Sequence, residues 1–524
     1  MSAMRQILFA LLSGLLVCVS FPTMVAGVGF PEMGWLAWVA LVPLVLAIRR
    51  ASPRRSFLLA FVSGLVLYGG SIFWIYSAVH TYGRMPAATS AIVLFLLIVV
   101  VSACAALAPA LARFMETRQK GELIVWLPVA WTAVEILRNY FPCNGFPWSN
   151  IAVSQWRLLP VIQIADLVGI YGVAFLIVWV NVFLAECVAK FSGDKTERFV
   201  PKAATTAVLV AATLLYGAYR LHAVPAALAG SPSMSLGLIQ GNVDQGEKWA
   251  KELAQRNLDM HREGARRLAE SFVEMIIWPE AAFPWPIETT DTVIDPRVLG
   301  LAEGGTGSLP YTLMGVITET PEENFHNSAV LFDGGGEIEG MYHKAHLVPF
   351  GEYVPYSKIL FFARKLTSPV GNFEAGSSSE PLSAGGRKFG VLICYEDVFP
   401  EIARAETAAG AGFLVNITND AWYGRSSAPF QHLAISVFRA VENRRFLVRA
   451  ANSGVSAVVM PTGETTVESP IFEPALVVTP VAVLEELSPY TRLGDWFAWA
   501  CVAYAALGVV VVAARRIKRI IRRG

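Results

Sequence analysis

Three residues spaced along the second half of the chain are of the types that together make and break an acyl bond. The apolar run "MIIWPE" ends in Glu280, "MYHKAHLVPFGEYVP" carries Lys344, and "FGVLIC" ends in Cys394. Cysteine attacks carbonyl carbon as the thiolate, so a nucleophilic Cys needs a base or a nearby positive charge. A carboxylate can take the proton, and an ammonium can steady both the thiolate and a later oxyanion. Taken alone, Cys394 reads first as a small hydrophobe closing a buried strand. The region also holds His261, His326, His343, His346 and His432, so residue types alone leave a Cys–His pair open. His343 and His346 flank Lys344 without metal-ligand spacing, and no metal or cofactor is expected.

The elements that must carry these residues are short strands. Segments 234–243, 275–280, 312–318, 328–333, 389–394, 412–419 and 457–463 are apolar runs bounded by Gly, Pro and Asn. Helical patterns separate some of them, at 246–273, 399–410 and 429–443. Strands alternating with helices and hairpins predict a layered α/β or α+β sandwich. "DGGGEIEG" at 333–340 predicts a hairpin turn through its glycines.

The first half of the chain obeys different physics. Of all residues 54% are hydrophobic and 16% charged, against about 25% charged in soluble proteins. The deficit is uneven, because Glu32 is the only acid between Met1 and Met115. Apolar runs long enough for ~30 Å of hydrocarbon predict spans near 7–26, 34–49, 57–79, 88–112, 122–138, 163–189, 203–222 and 496–514. The domains expected are thus a seven-span region over 1–222, an outer domain over 223–490, and a final span with a basic tail over 491–524. Basic residues collect in alternate loops: Arg49, Arg50, Arg54 and Arg55; Arg113, Arg118 and Lys120; Lys190, Lys195, Arg198 and Lys202; and the tail "RRIKRIIRRG". This bias puts both termini in the cytoplasm and 223–490 on the far side. The first span is expected to be retained, because no small-x-small cleavage site follows it. "LLVC" at 15–18 is not a lipid-attachment box, since Val17 stands where a small residue is needed. Cys18, Cys104, Cys187 and Cys501 fall in spans and Cys143 in a loop, which leaves Cys394 as the one outer-domain cysteine. A net charge of +1 gives no argument for nucleic acid.

The order Glu, Lys, Cys within "WPEAAFPW", "YHKAHLVPFGEYVP" and "GVLICYEDVFPE", at separations of 64 and 50 residues, resembles the nitrilase (carbon–nitrogen hydrolase) superfamily. "TNDAWYG" follows downstream. That resemblance implies a four-layer αββα sandwich with Glu280 as general base, Lys344 as electrostatic stabiliser and Cys394 as nucleophile. With the flanking spans, and with "IQGNVDQGEKW", "FPWSNIAVSQ" and "CYEDVFPE", nearly the whole chain resembles the apolipoprotein N-acyltransferase family. The implied reaction moves an acyl chain from a phospholipid, phosphatidylethanolamine first among candidates, through a Cys394 thioester to the α-amine of a diacylglyceryl-cysteine. It also implies a monomer in the bacterial inner membrane with a periplasmic catalytic domain. A membrane-tethered amidase using water as second nucleophile is the rival reading.

The same resemblance suggests weaker roles. Glu352 would orient Lys344 or help proton transfer, and Glu396 would hold the loop that carries the nucleophile. Trp249 would lie near the substrate path, and Asn419 and Trp422 would line the pocket. Glu135 and Arg138 share a helix face, where Arg138 is expected to meet a lipid phosphate or to snorkel to the interface. "YSKILFFARKL" at 356–366 has apolar residues at i, i+3, i+4 and i+7 with Lys and Arg beside them, which predicts an arm that dips into the outer leaflet.

Overall fold

The computed structural model describes residues 1–521 except 26, 120, 195–197, 247, 249–251, 302–308, 355–372 and 378–379. Trp249, Lys120, Lys195 and the segment 356–366 therefore lie outside the described residues. The chain forms two compact units: Met1–Tyr76, Ala87–Leu221 and Leu493–Gly524 make one, and Ser77–Pro86 with His222–Arg492 makes the other.

The first unit is helical. Four of its described helices are long and apolar enough to cross a membrane: Ala87–Gln119, Ala165–Phe191, Phe199–Leu228 and Trp496–Lys518. At 1.5 Å per residue, 27 residues reach roughly 40 Å, beyond the hydrocarbon thickness. The pair Pro53–Ser71 and Ile75–Tyr82 makes a fifth if counted as one span. This is fewer than the eight spans expected, and the shortfall falls at Ala3–Val19, Gly34–Ile48 and Leu123–Leu137, which are apolar but shorter. The reason at Gly34–Ile48 is local. The segment is a 3-10 turn followed by two short helices that break at Leu41. Asn181 makes the break tolerable, accepting from the Leu41 N–H at 2.8 Å and donating to the Ala37 carbonyl at 2.8 Å. A buried helix break needs such a partner for its freed backbone groups.

In the second unit the strands, numbered within it, are β1 (Ser233–Gln240), β2 (Met275–Ile277), β3 (Ile287–Glu288), β4 (Tyr311–Glu319), β5 (Phe325–Phe332), β6 (Ile338–His343), β7 (Leu382–Ala384), β8 (Arg387–Ile393), β9 (Leu414–Thr418), β10 (Leu447–Ala451), β11 (Ala457–Val459), β12 (Thr465–Glu468) and β13 (Ala475–Ala482). One sheet runs β13-β1-β2-β4-β5-β6, with β3 paired to β4; the other runs β12-β11-β10-β9-β8-β7. The central pairs β1-β2, β2-β4, β8-β9 and β9-β10 are parallel, as is the short β3-β4 pair, and the remaining ones are antiparallel.

Alternation along each strand decides the layers. Leu236, Leu238, Met275 and Ile277 of the first sheet share one core with Phe389, Val391, Ile393, Val415 and Ile417 of the second. The opposite face of the first sheet, with Ile276, Trp278, Met314 and Val330, packs against Leu258, Ala265 and Leu268 of helix α1 (Ala254–Ala269). The second sheet is covered by α2 (Pro400–Ala408) and α3 (Ala428–Asn443). Gly390 makes the close approach of α2 possible, because a Cβ there would sit 2.6 Å from the Glu406 Cβ. Helix, sheet, sheet, helix is the order of layers. The glycine hairpin falls between β5 and β6, as expected.

Candidate active site

Glu280 sits just past β2, on a turn laid against β4. The N–H groups of Ala282 and Phe283 donate to the Gly315 carbonyl at 2.8 and 3.2 Å, and Ala281 adopts φ 47°. Gly315 has to be glycine, since a Cβ would stand 2.3 Å from the Pro279 oxygen. Lys344 follows β6, and its N–H donates to the Asn327 carbonyl of β5 at 2.8 Å. Glu352 comes from the loop beyond. Its Oε2 accepts from the Val348 N–H at 2.7 Å, which turns the carboxylate back toward Lys344.

These three meet in a buried cluster. Lys344 Nζ is 2.9 Å from Glu352 Oε1 and 3.6 Å from Glu280 Oε1, with the lysine side chain 1% exposed. Asn327 Nδ2 donates to both carboxylates, at 2.8 Å each. Burial pulls the ammonium down, but Glu352, Glu280 and the neighbouring Cys394 outweigh it and hold Lys344 above its ordinary value. It stays charged across any working pH.

Cys394 begins a 3-10 turn directly after β8 and leads into α2 through Pro400. Its φ of 54° is rare for a residue with a Cβ. Such a conformation persists only where surroundings over-determine it, and here they do. Asn416 Nδ2 donates to the Cys394 carbonyl at 3.2 Å. The Glu396 carboxylate accepts from the N–H groups of Ile393 (2.7 Å), Ala345 (2.7 Å) and His346 (3.1 Å), and from the Tyr342 hydroxyl (3.0 Å). One buried acid therefore ties the turn bearing Cys394 to the segment bearing Lys344. Burial pushes that acid up to about 7 against the pull of the backbone donors.

The Cys394 thiol is 6% exposed. Burial pushes it well above its ordinary value and Glu280 adds to this, while Lys344 and a hydrogen bond with Thr418 pull the other way. At rest Cys394 is a thiol. None of these leading influences is a histidine. His343 bonds Ser328 at 2.7 Å, and His346 lies against the Phe399 ring at 3.7 Å.

Below the turn lies a fully buried ionic group that sequence reasoning did not assemble. Arg449 of β10 reaches Asp397 Oδ2 at 3.0 Å, Asp420 Oδ2 at 2.7 Å and Asn416 Oδ1 at 2.8 Å. His432 of α3 joins the same aspartates, at 2.7 and 2.9 Å. Asp397 is three residues past Cys394, and Asp420 lies within "NDAWYG". The nearest signal was that run of polar residues ending apolar strands. Asn327 and Lys248 were also missed; only the position of Lys248 within "QGEKW" hinted at it.

The remaining expected residues have other surroundings. Asn419 is committed to two other loops, donating to Gln245 after β1 at 2.6 Å and accepting from Asn452 after β10 at 3.0 Å. Trp422 meets the Tyr82 ring edge-on at 6.0 Å. Arg138, in the helical unit, does not snorkel. It is 2% exposed, pairs with Glu135 at 3.2 Å and donates to the carbonyls of Phe146 (3.0 Å) and Trp148 (2.7 Å). Five guanidinium donors suit such a carbonyl clamp, which shapes the loop after its helix.

Comparison with known proteins defines the class first. Residues 235–485 match the carbon–nitrogen hydrolase family, and residues 13–183 match the apolipoprotein N-acyltransferase N-terminal domain. An apolipoprotein N-acyltransferase from Geobacter metallireducens is 39% identical over 517 residues, 98% of this chain and 96% of its own. One from Gloeobacter violaceus is 32% identical over 95% of this chain and 94% of its own. The Nit3 crystal structure from Saccharomyces cerevisiae, of the nitrilase superfamily, is 17% identical with a TM-score of 0.37, covering 48% of this chain and 90% of that one. The chain belongs to the apolipoprotein N-acyltransferase family.

Proposed function

We propose that this membrane acyltransferase N-acylates apolipoproteins from a lipid donor by a two-step exchange through Cys394. The observation that carries the mechanism is the linked set Glu280, Asn327, Lys344 and Glu352, of which the Glu280 and Lys344 charges act on the Cys394 thiol. In the first step Cys394 Sγ attacks the ester carbonyl of the donor while its proton passes to Glu280. Lys344 steadies the oxyanion. Collapse breaks the ester C–O bond, the leaving alkoxide takes the proton from Glu280, and an S-acyl enzyme remains. In the second step the α-amine of a diacylglyceryl-cysteine attacks the thioester and gives its proton to Glu280. The C–S bond breaks, an amide forms, and the proton returns to the sulfur. Phosphatidylethanolamine is the proposed donor, and Glu352 and Glu396 the proposed supports.

The charge bias of the loops supports an inner-membrane chain with residues 223–490 on the periplasmic side. Eight spans, a division at 1–222, 223–490 and 491–524, a monomeric state, and substrate contacts by Trp249, Asn419 and Trp422 complete the proposal. Radiolabelled phosphatidylethanolamine should leave a hydroxylamine-labile label on the wild-type protein that chases onto a diacylglyceryl peptide. Cys394→Ala should fold and take no label. N-acylation of the peptide by Cys394→Ala would refute the mechanism.

A further inference from the structure

Glu280 is held from behind as well as from the front. Lys248 lies in the loop after β1, and that loop is pinned: the N–H groups of Asn242 and Val243 donate to the carbonyl and side chain of Asn452, at 2.8 and 2.9 Å, and Asn452 donates back to the Val243 carbonyl at 2.8 Å. From this anchored position Lys248 Nζ donates to the main-chain carbonyl of Glu280 at 2.9 Å. The lysine is 7% exposed. The carbonyl it grips belongs to the residue just before Ala281, the one at positive φ, so the bond fixes the part of the turn least able to hold itself.

We propose that Lys248 is a positioning residue for acyl-enzyme formation, clamping the Glu280 turn through its carbonyl and supplying a second buried positive charge that keeps the Glu280 carboxylate ready to accept the Cys394 proton. This rests on the reading of Glu280 as general base. The titratable groups that act with Lys248 are Glu280, Cys394 and His261. Burial pulls Lys248 down to about 8, against the opposing pull of Glu280 and Cys394. Below that pH it carries its charge. Burial, with the Lys248 charge adding to it against a backbone hydrogen bond to Asn257, holds His261 down to about 4. His261 is therefore neutral above that range. An opposite charge a few ångströms away lowers a carboxyl by about one unit or more. Removing the Lys248 charge should move the acid limb of thioester formation the opposite way.

The test is the pH profile of the thioester-forming rate, with radiolabelled phosphatidylethanolamine in detergent micelles and the full-length protein. Lys248→Met should slow labelling roughly 10- to 100-fold near neutrality and raise the midpoint of its acid limb by about one pH unit. Lys248→Arg, which keeps the charge, should leave that midpoint where the wild type has it. A slowed Lys248→Met with an unmoved limb would mean a purely structural role and overturn the proposal. Should Lys248→Met not fold, Lys248→Gln decides by the same criterion, since it retains a donor and loses the charge. Glu280→Gln separates the two readings. If it still forms the thioester, the base assignment fails; if it does not, and the Lys248 limb is unmoved, the clamp alone fails.

Discussion

Replacing Glu396 with Gln isolates what holds Cys394 in place. Every hydrogen-bond partner of this carboxylate among the described residues is a donor: three backbone N–H groups and the Tyr342 hydroxyl. Glutamine keeps the shape but turns one oxygen into an NH2 group, which must then face a donor. Pointed at Ile393, it leaves the N–H just before Cys394 unpaired. Pointed the other way, it leaves both Ala345 and His346 unpaired, so the first arrangement is favoured. A hydrogen bond to a charged acceptor is worth about 1.5–3 kcal/mol, and a buried unpaired N–H costs about 1–3 kcal/mol. These overlap, so the loss is about 2–4 kcal/mol, centred on the turn at Ile393–Cys394. A shift of about 1 Å in a nucleophile costs on the order of 100-fold in rate. Glu396→Gln should therefore remain folded with a lowered thermal midpoint and label on Cys394 about 100 times more slowly. Tyr342→Phe, which deletes one neutral donor and leaves the carboxylate intact, should do far less. Wild-type labelling by Glu396→Gln would refute the idea that this acid positions the thiol.

Two further outcomes concern pH. Glu406 of α2 is buried with neither side-chain oxygen hydrogen-bonded among the described residues; burial and then Glu396 push it from an ordinary 4.5 to about 8. Its ionised form is disfavoured in the fold, so stability falls as pH rises from 4.5 through about 8; Glu406→Gln should gain about 1–3 kcal/mol at pH 8, read as a rise in thermal midpoint that is absent at pH 4.5. Burial and Arg449 work against the His432 imidazolium, yet Asp397 and Asp420 raise it from 6.5 to about 8. Its contribution, about 2 kcal/mol for a rise from 6.5 to about 8, is fully present below pH 6.5 and lost through about 8. His432→Gln should lower the midpoint at pH 6 more than at pH 9, and equal losses at both would show that His432 is not charged.

What was legible in the sequence was local. β-branched runs broken by Gly and Pro mark most strands of the second unit, and a run that turns polar at its last residue marks where Glu280 and Cys394 stand. The short strands β3, β7 and β12 were not seen, nor were β10 and β13, because "LVRAA" carries a charge mid-strand and "ALVVTPVA" a proline. The arginine in β10 is buried only because Asp397, Asp420 and Asn416 arrive from elsewhere in the chain. Hydropathy located the apolar helices but not their lengths, since the break at Leu41 depends on Asn181, 140 residues away. Asn327 shows the same limit at the site. In "FHNSAVLF" it is one polar residue in a strand, and it becomes a bridge between Glu280 and Glu352 only through the pairing of β4, β5 and β6. The i, i+3 relation of Glu135 and Arg138 was readable, whereas the carbonyls Arg138 grips belong to a later loop.

On the proposed mechanism, the arrangement of charge also accounts for a buried thiol serving as an acyl carrier. A thiolate formed in advance would need its pKa lowered, but burial and Glu280 both act against that at Cys394. Lys344 is nearly spoken for by Glu352 at 2.9 Å, with Glu280 farther off at 3.6 Å. Its charge is thus partly neutralised at rest and is drawn on most when Glu280 becomes a neutral acid. In the proposed first step Lys344 would then lose one carboxylate neighbour, and its attraction for a new oxyanion would grow as the oxyanion forms. Stabilisation that appears with the transition state raises the rate, while stabilisation of the resting thiolate would not. In this proposal the second carboxylate, Glu352, makes the sequence possible: at 2.9 Å it holds Lys344 as an ammonium whichever way the Glu280 proton moves.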